Sequence, residues 1–237
     1  MDIIEAINTR KSIRAYKQDP VPKAVIEDIL QIATRSPSSM NTQPWEFVVV
    51  AGEALERLTK ANLERLAVGE IPARDWGRNV WSDSATGLQK GSAQSDAFTG
   101  VYRERQVSLA VQIFQKLGIA REDREKRAEW TRQGFRYFGA PAVIIITMDK
   151  SLSPASFFDI GLVTQTIALA ALKHGLGTCI QGQGVMYPKA VREITGIPES
   201  KYLIICLTIG YPDWSSPANA INSEREPLEK ITTWLGY

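Results

Sequence analysis

Ser36-Pro37-Ser38-Ser39-Met40-Asn41-Thr42-Gln43-Pro44-Trp45 stands where a helical pattern gives way to the β-branched run Phe47 to Val50. Two prolines stiffen this loop, and its serines, asparagine and glutamine offer hydrogen-bond donors and acceptors side by side. A flat heterocycle with a polar rim needs neutral edge partners of that kind. An ordinary helix-to-strand loop uses the same residue types, so composition alone leaves both readings open. Upstream, Ile3, Ile4 and Ile7 predict a short first helix, and Val25, Ile26, Ile29, Leu30 and Ala33 a second, with Pro22 near its first turn. Downstream, Leu55, Leu58 and Leu66 mark a helix that Gly69 and Pro72 end.

Residues 69 to 100 are irregular and rich in Gly and Ser, yet they carry Trp76, Trp81 and Phe98, with Tyr102 just beyond. Those aromatics either stack on a flat substrate or fill a satellite core under a long loop. A helix resumes at Val107, Ala110, Val111, Phe114 and Leu117, and the mixed charges from Arg121 to Arg136 read as a solvated helical face. Ala142 to Met148 and Tyr202 to Ile209 are continuous apolar strands, and Leu176 to Gln181 is a shorter candidate. Residues 156 to 173 form a helix with little polar surface, which needs cover on most sides, from a central position or a dimer seam. Helices precede, separate and follow the strands without a βαβ rhythm, so the expected class is α+β with a mixed central sheet flanked by helices. No repeat or charged linker divides residues 1–237, which are expected to form one domain, and the proline-rich tail after Gly210 is too irregular to close a core alone.

The composition narrows the function. A chain of 237 residues with 44% hydrophobic content buries a full core. No stretch reaches the roughly 18 consecutive apolar residues of a membrane span, and Met1-Asp2 lacks the basic start of a secretory signal, so a cytoplasmic protein without a membrane partner is expected. A net charge of +2, spread along the chain, does not point to nucleic acid. Cys179 and Cys206 lie in apolar runs and read as buried thiols. His174 is the only histidine; it stands just before Gly175 at a predicted helix end, reads as a helix cap, and leaves no metal site to expect.

Arg10-Lys11-Ser12-Ile13-Arg14, at the end of the first helix, gathers three cations and a hydroxyl within five residues. Arginine offers a planar fork to phosphate, lysine a compact charge and serine a neutral donor. A cationic helix C-terminus answering the macrodipole is the alternative.

Taken in order, Arg10-x-Ser12-x-Arg14, then Pro37-Ser38-Ser39-x-Asn41-x-Gln43-Pro44-Trp45 before Phe47 to Val50, resemble the nitroreductase family. The resemblance continues through Phe138-Gly139-Ala140-Pro141, Gly175-Leu176-Gly177-Thr178-Cys179 and Gly210-Tyr211-Pro212, with Arg225 and Pro227 beyond, and is strongest to the nitrobenzoate-reductase-like branch. It implies a nitroreductase-like fold, a homodimer with FMN at the interface, and ping-pong hydride transfer from NAD(P)H to nitroaromatic, quinone or related electron-poor molecules. A reductive dehalogenase, enone reductase or flavin reductase on the same fold is the alternative, and a non-catalytic FMN-binding module a further one. By motif position, Arg10, Lys11, Ser12 and Arg225 are implied at the FMN phosphate and ribityl oxygens, with Arg14 nearer the pyrimidine edge as electrostatic support. Pro37, Ser38, Ser39 and Met40 are implied at the flavin from the partner subunit, Asn41 and Gln43 as further cofactor-binding residues, and Ile180, Gln181 and Gly182 near N5. Residues 69–104 correspond to a variable cap and residues 211–237 to a tail wrapped around the partner. No side chain is implied as a catalytic acid or base, because the flavin carries the hydride.

Overall fold

The apolar run Ala142 to Met148 is buried end to end because it becomes an interior strand. The computed structural model describes residues 2–76 and 98–237. Among them, β1 (Trp45–Ala51), β2 (Ala142–Asp149), β3 (Gly177–Gln181) and β4 (Lys201–Gly210) form one sheet in the spatial order β1-β2-β4-β3. Every strand pair is antiparallel, which corrects the expectation of a mixed sheet. Parallel pairing among the described residues is confined to the single bridge between Ser12 and Thr178. The reason is topological: β2 and β3 run in the same direction, but β4 inserts between them and opposes both.

The helices are α1 (Ile3–Thr9), α2 (Lys23–Ala33), α3 (Gly52–Ala67), α4 (Gly100–Lys116), α5 (Arg124–Phe135), α6 (Ser156–Lys173), α7 (Pro188–Thr195) and α8 (Leu228–Ile231). The alternation of β2 divides the core. Ala142, Ile144, Ile146 and Met148 face Ile29 of α2 and Ile160, Val163 and Ile167 of α6, whereas Val143 and Ile145 face Leu55 and Leu58 of α3 and Val191 of α7. Each of the Val, Leu, Ile and Met side chains contributes about 1.5–3 kcal/mol by leaving water. A bulge where β4 passes Ile146 and Thr147 shifts its alternation by one residue, so Leu203 and Cys206 point to the same side. Helix α6 is long and apolar enough to cross a membrane by length and composition, but its apolar stripe forms the core against the sheet. His174 closes this helix as expected, and Nε2 lies 2.8 Å from an Asp28 carboxylate oxygen on α2. Both cysteines are buried free thiols.

Trp76 belongs to the core reading. Its ring lies 4.6 Å from that of Phe157, and its indole N–H donates to the Ile204 carbonyl at 2.9 Å. Phe98 and Tyr102 are exposed, and Trp81 lies outside the described residues. Helix α7, which the sequence pattern did not reveal, starts with Pro188 in its first turn and ends at the left-handed Gly196. It carries Arg192, whose buried guanidinium donates to Asp75 at 2.5 Å and to the carbonyls of Ile197, Pro198 and Lys201. Asp75 also accepts from the Leu203 N–H at 2.9 Å. Arg192→Ala would leave Asp75 as an uncompensated buried charge, so denaturant unfolding is expected to show a loss of about 3–5 kcal/mol. A loss below about 1 kcal/mol, the range of exposed ion pairs, would contradict this reading.

Candidate functional site

Arg10 ends α1: its backbone leaves the helical region at φ −57° and ψ 125° while its N–H still donates to Ala6. The chain then runs extended along the free edge of β3, where Ser12 bridges Thr178 and the Ile13 N–H donates to the Thr178 carbonyl at 2.9 Å. Covering an open edge in this way satisfies backbone groups that would otherwise face solvent or another chain. Ile13 is the apolar anchor, packed with Tyr16, Phe138, Ala140 and Cys179. Its position requires Gly177, because a Cβ there would stand 2.4 Å from the Ile13 side chain and 2.8 Å from Pro212. The Tyr16 hydroxyl donates to the Ile13 carbonyl at 3.0 Å and shares a 2.6 Å hydrogen bond with Thr208, fixing the far end of the segment.

In an extended chain, alternate residues share a side. By that repeat Arg10, Ser12 and Arg14 are side-mates opposite the buried Ile13, the Arg14 guanidinium donates to the Ser12 carbonyl at 3.5 Å, and the segment lies within electrostatic reach of Cys179. Burial pushes its thiol up, while Arg14, a hydrogen bond with Ser12, and Arg10 all pull it down. Lys11 points elsewhere and donates to the Asn219 carbonyl at 3.0 Å; burial holds its ammonium below the usual range. Among the described residues, none of these three cations forms an ion pair with a carboxylate.

Asn219, 2% exposed, holds this segment to the C-terminal part of the chain, and no motif drew attention to it. Its side-chain oxygen accepts from the Arg14 N–H at 2.7 Å, and its Nδ2 donates to the carbonyls of Ala15 and Asp213, both at 2.8 Å. One amide thus uses both ends, and a short isolated Asn in a turn gives no periodic signal by which to find it.

The loop after α2 presents the second group. Pro37, Ser39, Met40, Asn41 and Gln43 are exposed, Met40 at 93%, and Ser38 is half-buried. Met40, Asn41 and Gln43 adopt left-handed φ values of 52°, 57° and 46°. Within the loop, the Gln43 N–H donates to Ser38 Oγ at 2.9 Å and its side chain to the Asn41 carbonyl at 3.2 Å. The loop is fastened to α6 by Ser36 Oγ, 2.7 Å from Thr166 Oγ1, and by the Ser39 N–H, 3.3 Å from each Asp159 oxygen. Asp159 is the other site-shaping residue that sequence reasoning missed.

At the end of β3, Ile180 is exposed on one face while Gln181 turns to the other, 7% exposed, with both side-chain polar atoms buried and without a hydrogen-bond partner. Gly182 follows and opens a 3-10 turn, Gln183–Val185. That turn sits directly on Tyr137, whose hydroxyl donates to the Gly184 carbonyl at 2.8 Å; a Cβ at Gly184 would come within 2.5 Å of the Tyr137 ring. Arg225 stands apart from these hydrogen bonds. It donates to Ser223 and Glu224 and lines a cleft of about 410 Å³ with Val101, Arg105, Leu109 and Gln112 of α4.

A phosphate-bearing, flat and polar-rimmed cofactor fits this donor set. Arg10, Ser12 and Arg14 fall within five residues of an anchored segment, the loop after α2 offers hydroxyls and amides, and the orphaned Gln181 amide is a buried polar group in want of a partner. The match with known proteins extends over the same elements. A model of the nitroreductase family matches residues 7–211. The nitrobenzene nitroreductase of Ectopseudomonas oleovorans is 33% identical over 235 residues, covering 98% of this chain and 96% of that protein. The chloronitrobenzene nitroreductase of Comamonas testosteroni is 32% identical over 234 residues, covering 98% and 96%. The crystal structure of an FMN and NADPH-dependent nitroreductase, NfnB from sphigopyxis sp. strain HMH, superimposes with a TM-score of 0.89 at 28% identity over 100% of both chains.

Removing the Asn219 side chain should strip partners from the Arg14 N–H and the Ala15 carbonyl together. Asn219→Ala is expected to destabilise the fold by about 1–3 kcal/mol in a chemical melt, the cost of buried groups left unpaired. Wild-type stability in that melt would show that the amide is not the fastener.

Proposed function

The chain belongs to the nitroreductase family, and on that footing we propose that it is an FMN-dependent NAD(P)H oxidoreductase that reduces nitroaromatic and related electron-poor small molecules. The observation that carries the reading is the run Arg10, Ser12 and Arg14 on a segment bridged to the edge of β3, in a chain alike over its whole length to nitroreductases. FMN, when bound, supplies hydride acceptance from NAD(P)H and hydride delivery to the second substrate, in ping-pong turnover. The protein's own task is to bind, orient and set the field.

In this reading Arg10 and Ser12 hold the phosphate and nearby ribityl oxygens, and Lys11 and Arg225 join them by releasing their present bonds to the Asn219 carbonyl and to Ser223 and Glu224. Arg14 stands toward the pyrimidine edge, where a cation stabilises negative charge. The loop from Pro37 to Gln43 contacts the flavin across a subunit interface, and the backbone of Ile180 to Gly182 approaches the ring. The functional unit is a cytoplasmic homodimer. Supporting this, α4 buries no residue within its own chain, and Ile3, Ile4, Val107, Val111, Trp234 and Leu235 are exposed apolar side chains that a partner would cover. Residues 211–237 serve as the wrapping tail, and the cap is assigned to residues 69–104, of which 77–97 lie outside the described residues.

Purified protein is expected to be yellow and to bleach when NADH or NADPH is added without oxygen, with colour restored by a nitroaromatic compound. A yellow protein that neither nicotinamide bleaches would make it a flavin-binding module instead. Arg10→Ala is expected to weaken FMN binding by about 1.5–3 kcal/mol, as for a lost charge-assisted hydrogen bond, in a fluorescence titration. Unchanged affinity would remove Arg10 from the phosphate site.

A further inference from the structure

Asp159 is a carboxylate that hydride transfer does not use, yet it is 3% exposed in the first turn of α6. Its two oxygens share one donor, the Ser39 N–H. Burying an ionised carboxylate is unfavourable unless it is hydrogen-bonded, and here its bond is to the outer loop. Thr166, seven residues further along α6, takes the other fastening bond from Ser36. Seven residues advance a helix by about 10.5 Å and complete nearly two turns, so Asp159 and Thr166 lie on one side of α6 and meet the loop at two points.

The stretch these points hold does not hold itself. Its left-handed Met40, Asn41 and Gln43 are conformations that cost of order 1 kcal/mol or more each for a residue other than glycine, and they persist only where the surroundings over-determine them. The bonds of Gln43 to Ser38 and Asn41 stay inside the loop and set its internal shape, not its placement on the body. Placement falls to α6, and Asp159 acts at Ser39, next to the strained turn.

We propose that Asp159 is a positioning residue for the flavin-facing loop, fixing the orientation of residues 38–43 and through it the affinity and spectroscopic environment of FMN, without touching the cofactor. The inference rests on the functional reading above, in which this loop meets the flavin.

The test is FMN titration of the full-length protein and of Asp159→Ala, Asp159→Asn and Thr166→Val, at a temperature where circular dichroism shows each folded. Asp159→Ala is expected to raise the Kd for FMN at least about tenfold, the effect of losing one bond to a charged group, and to shift the visible absorption of the bound flavin. Asp159→Asn, which keeps an acceptor facing Ser39, is expected to recover most of that loss, and Thr166→Val to move both readouts in the same direction by less. A residue important only for stability would lower the melting temperature and leave the Kd and spectrum of the folded protein unchanged; that result for Asp159→Ala overturns the proposal. Should the Asp159 variants fail to fold, a wild-type Kd and spectrum in Thr166→Val overturns it. Wild-type protein that takes up no FMN would instead sink the functional reading itself.

Discussion

A β-carbon at position 177 would occupy the space of the Ile13 side chain, and the whole candidate site depends on that space being free. With glycine there, the segment pairs with β3 at Ser12 and with Pro212 at Tyr16, and Ile13 and Tyr16 bury themselves beside Cys179 and Phe138. The cations owe their arrangement to this contact. Once Ile13 is turned inward, the two-residue repeat of an extended chain sets Arg10, Ser12 and Arg14 on a common side. Asn219 then secures the segment to the C-terminal part of the chain, so that local alternation and one long-range amide together convert a basic stretch into an ordered cationic surface.

Two opposed demands meet at that surface. Like charges repel, and Lys11 is further disfavoured as a cation by partial burial. Hydrogen bonding offsets part of this: Lys11 donates to the Asn219 carbonyl, and Ser12 is poised at Cys179. An anion offsets the remainder, which is why such an arrangement favours a phosphate-bearing ligand over a neutral one. The neighbouring loop shows a related economy of form, with left-handed residues that directly follow a stretch, Ser36 to Ser39, that α6 fastens at two points.

Much of this was legible in the sequence where the physics is local. The limits of α6 followed from its apolar spacing, β2 from its unbroken apolar run, and the cationic cluster from residue type alone. The sheet was misread as mixed because β2, α6 and β3 do form a crossover between strands of like direction, and nothing local announces that β4 slides between them. Helix α7 was missed because it is only eight residues long, although the spacing of Ala190, Val191 and Ile194, proline at its start and glycine at its end were signals. Asn219 and Asp159 were invisible for a different reason. Each acts through contacts more than one hundred residues away in the chain, and a single polar side chain carries no pattern that declares its partner.

The most direct measurement of the central claim compares the affinities of wild-type protein for FMN and for riboflavin, which differ in the phosphate group. The account predicts that FMN binds more tightly by at least about tenfold, because even one charge-assisted bond from the Arg10–Arg14 segment contributes about 1.5–3 kcal/mol. Equal affinity for the two would mean that the cations do not converge on a phosphate, and would contradict the account.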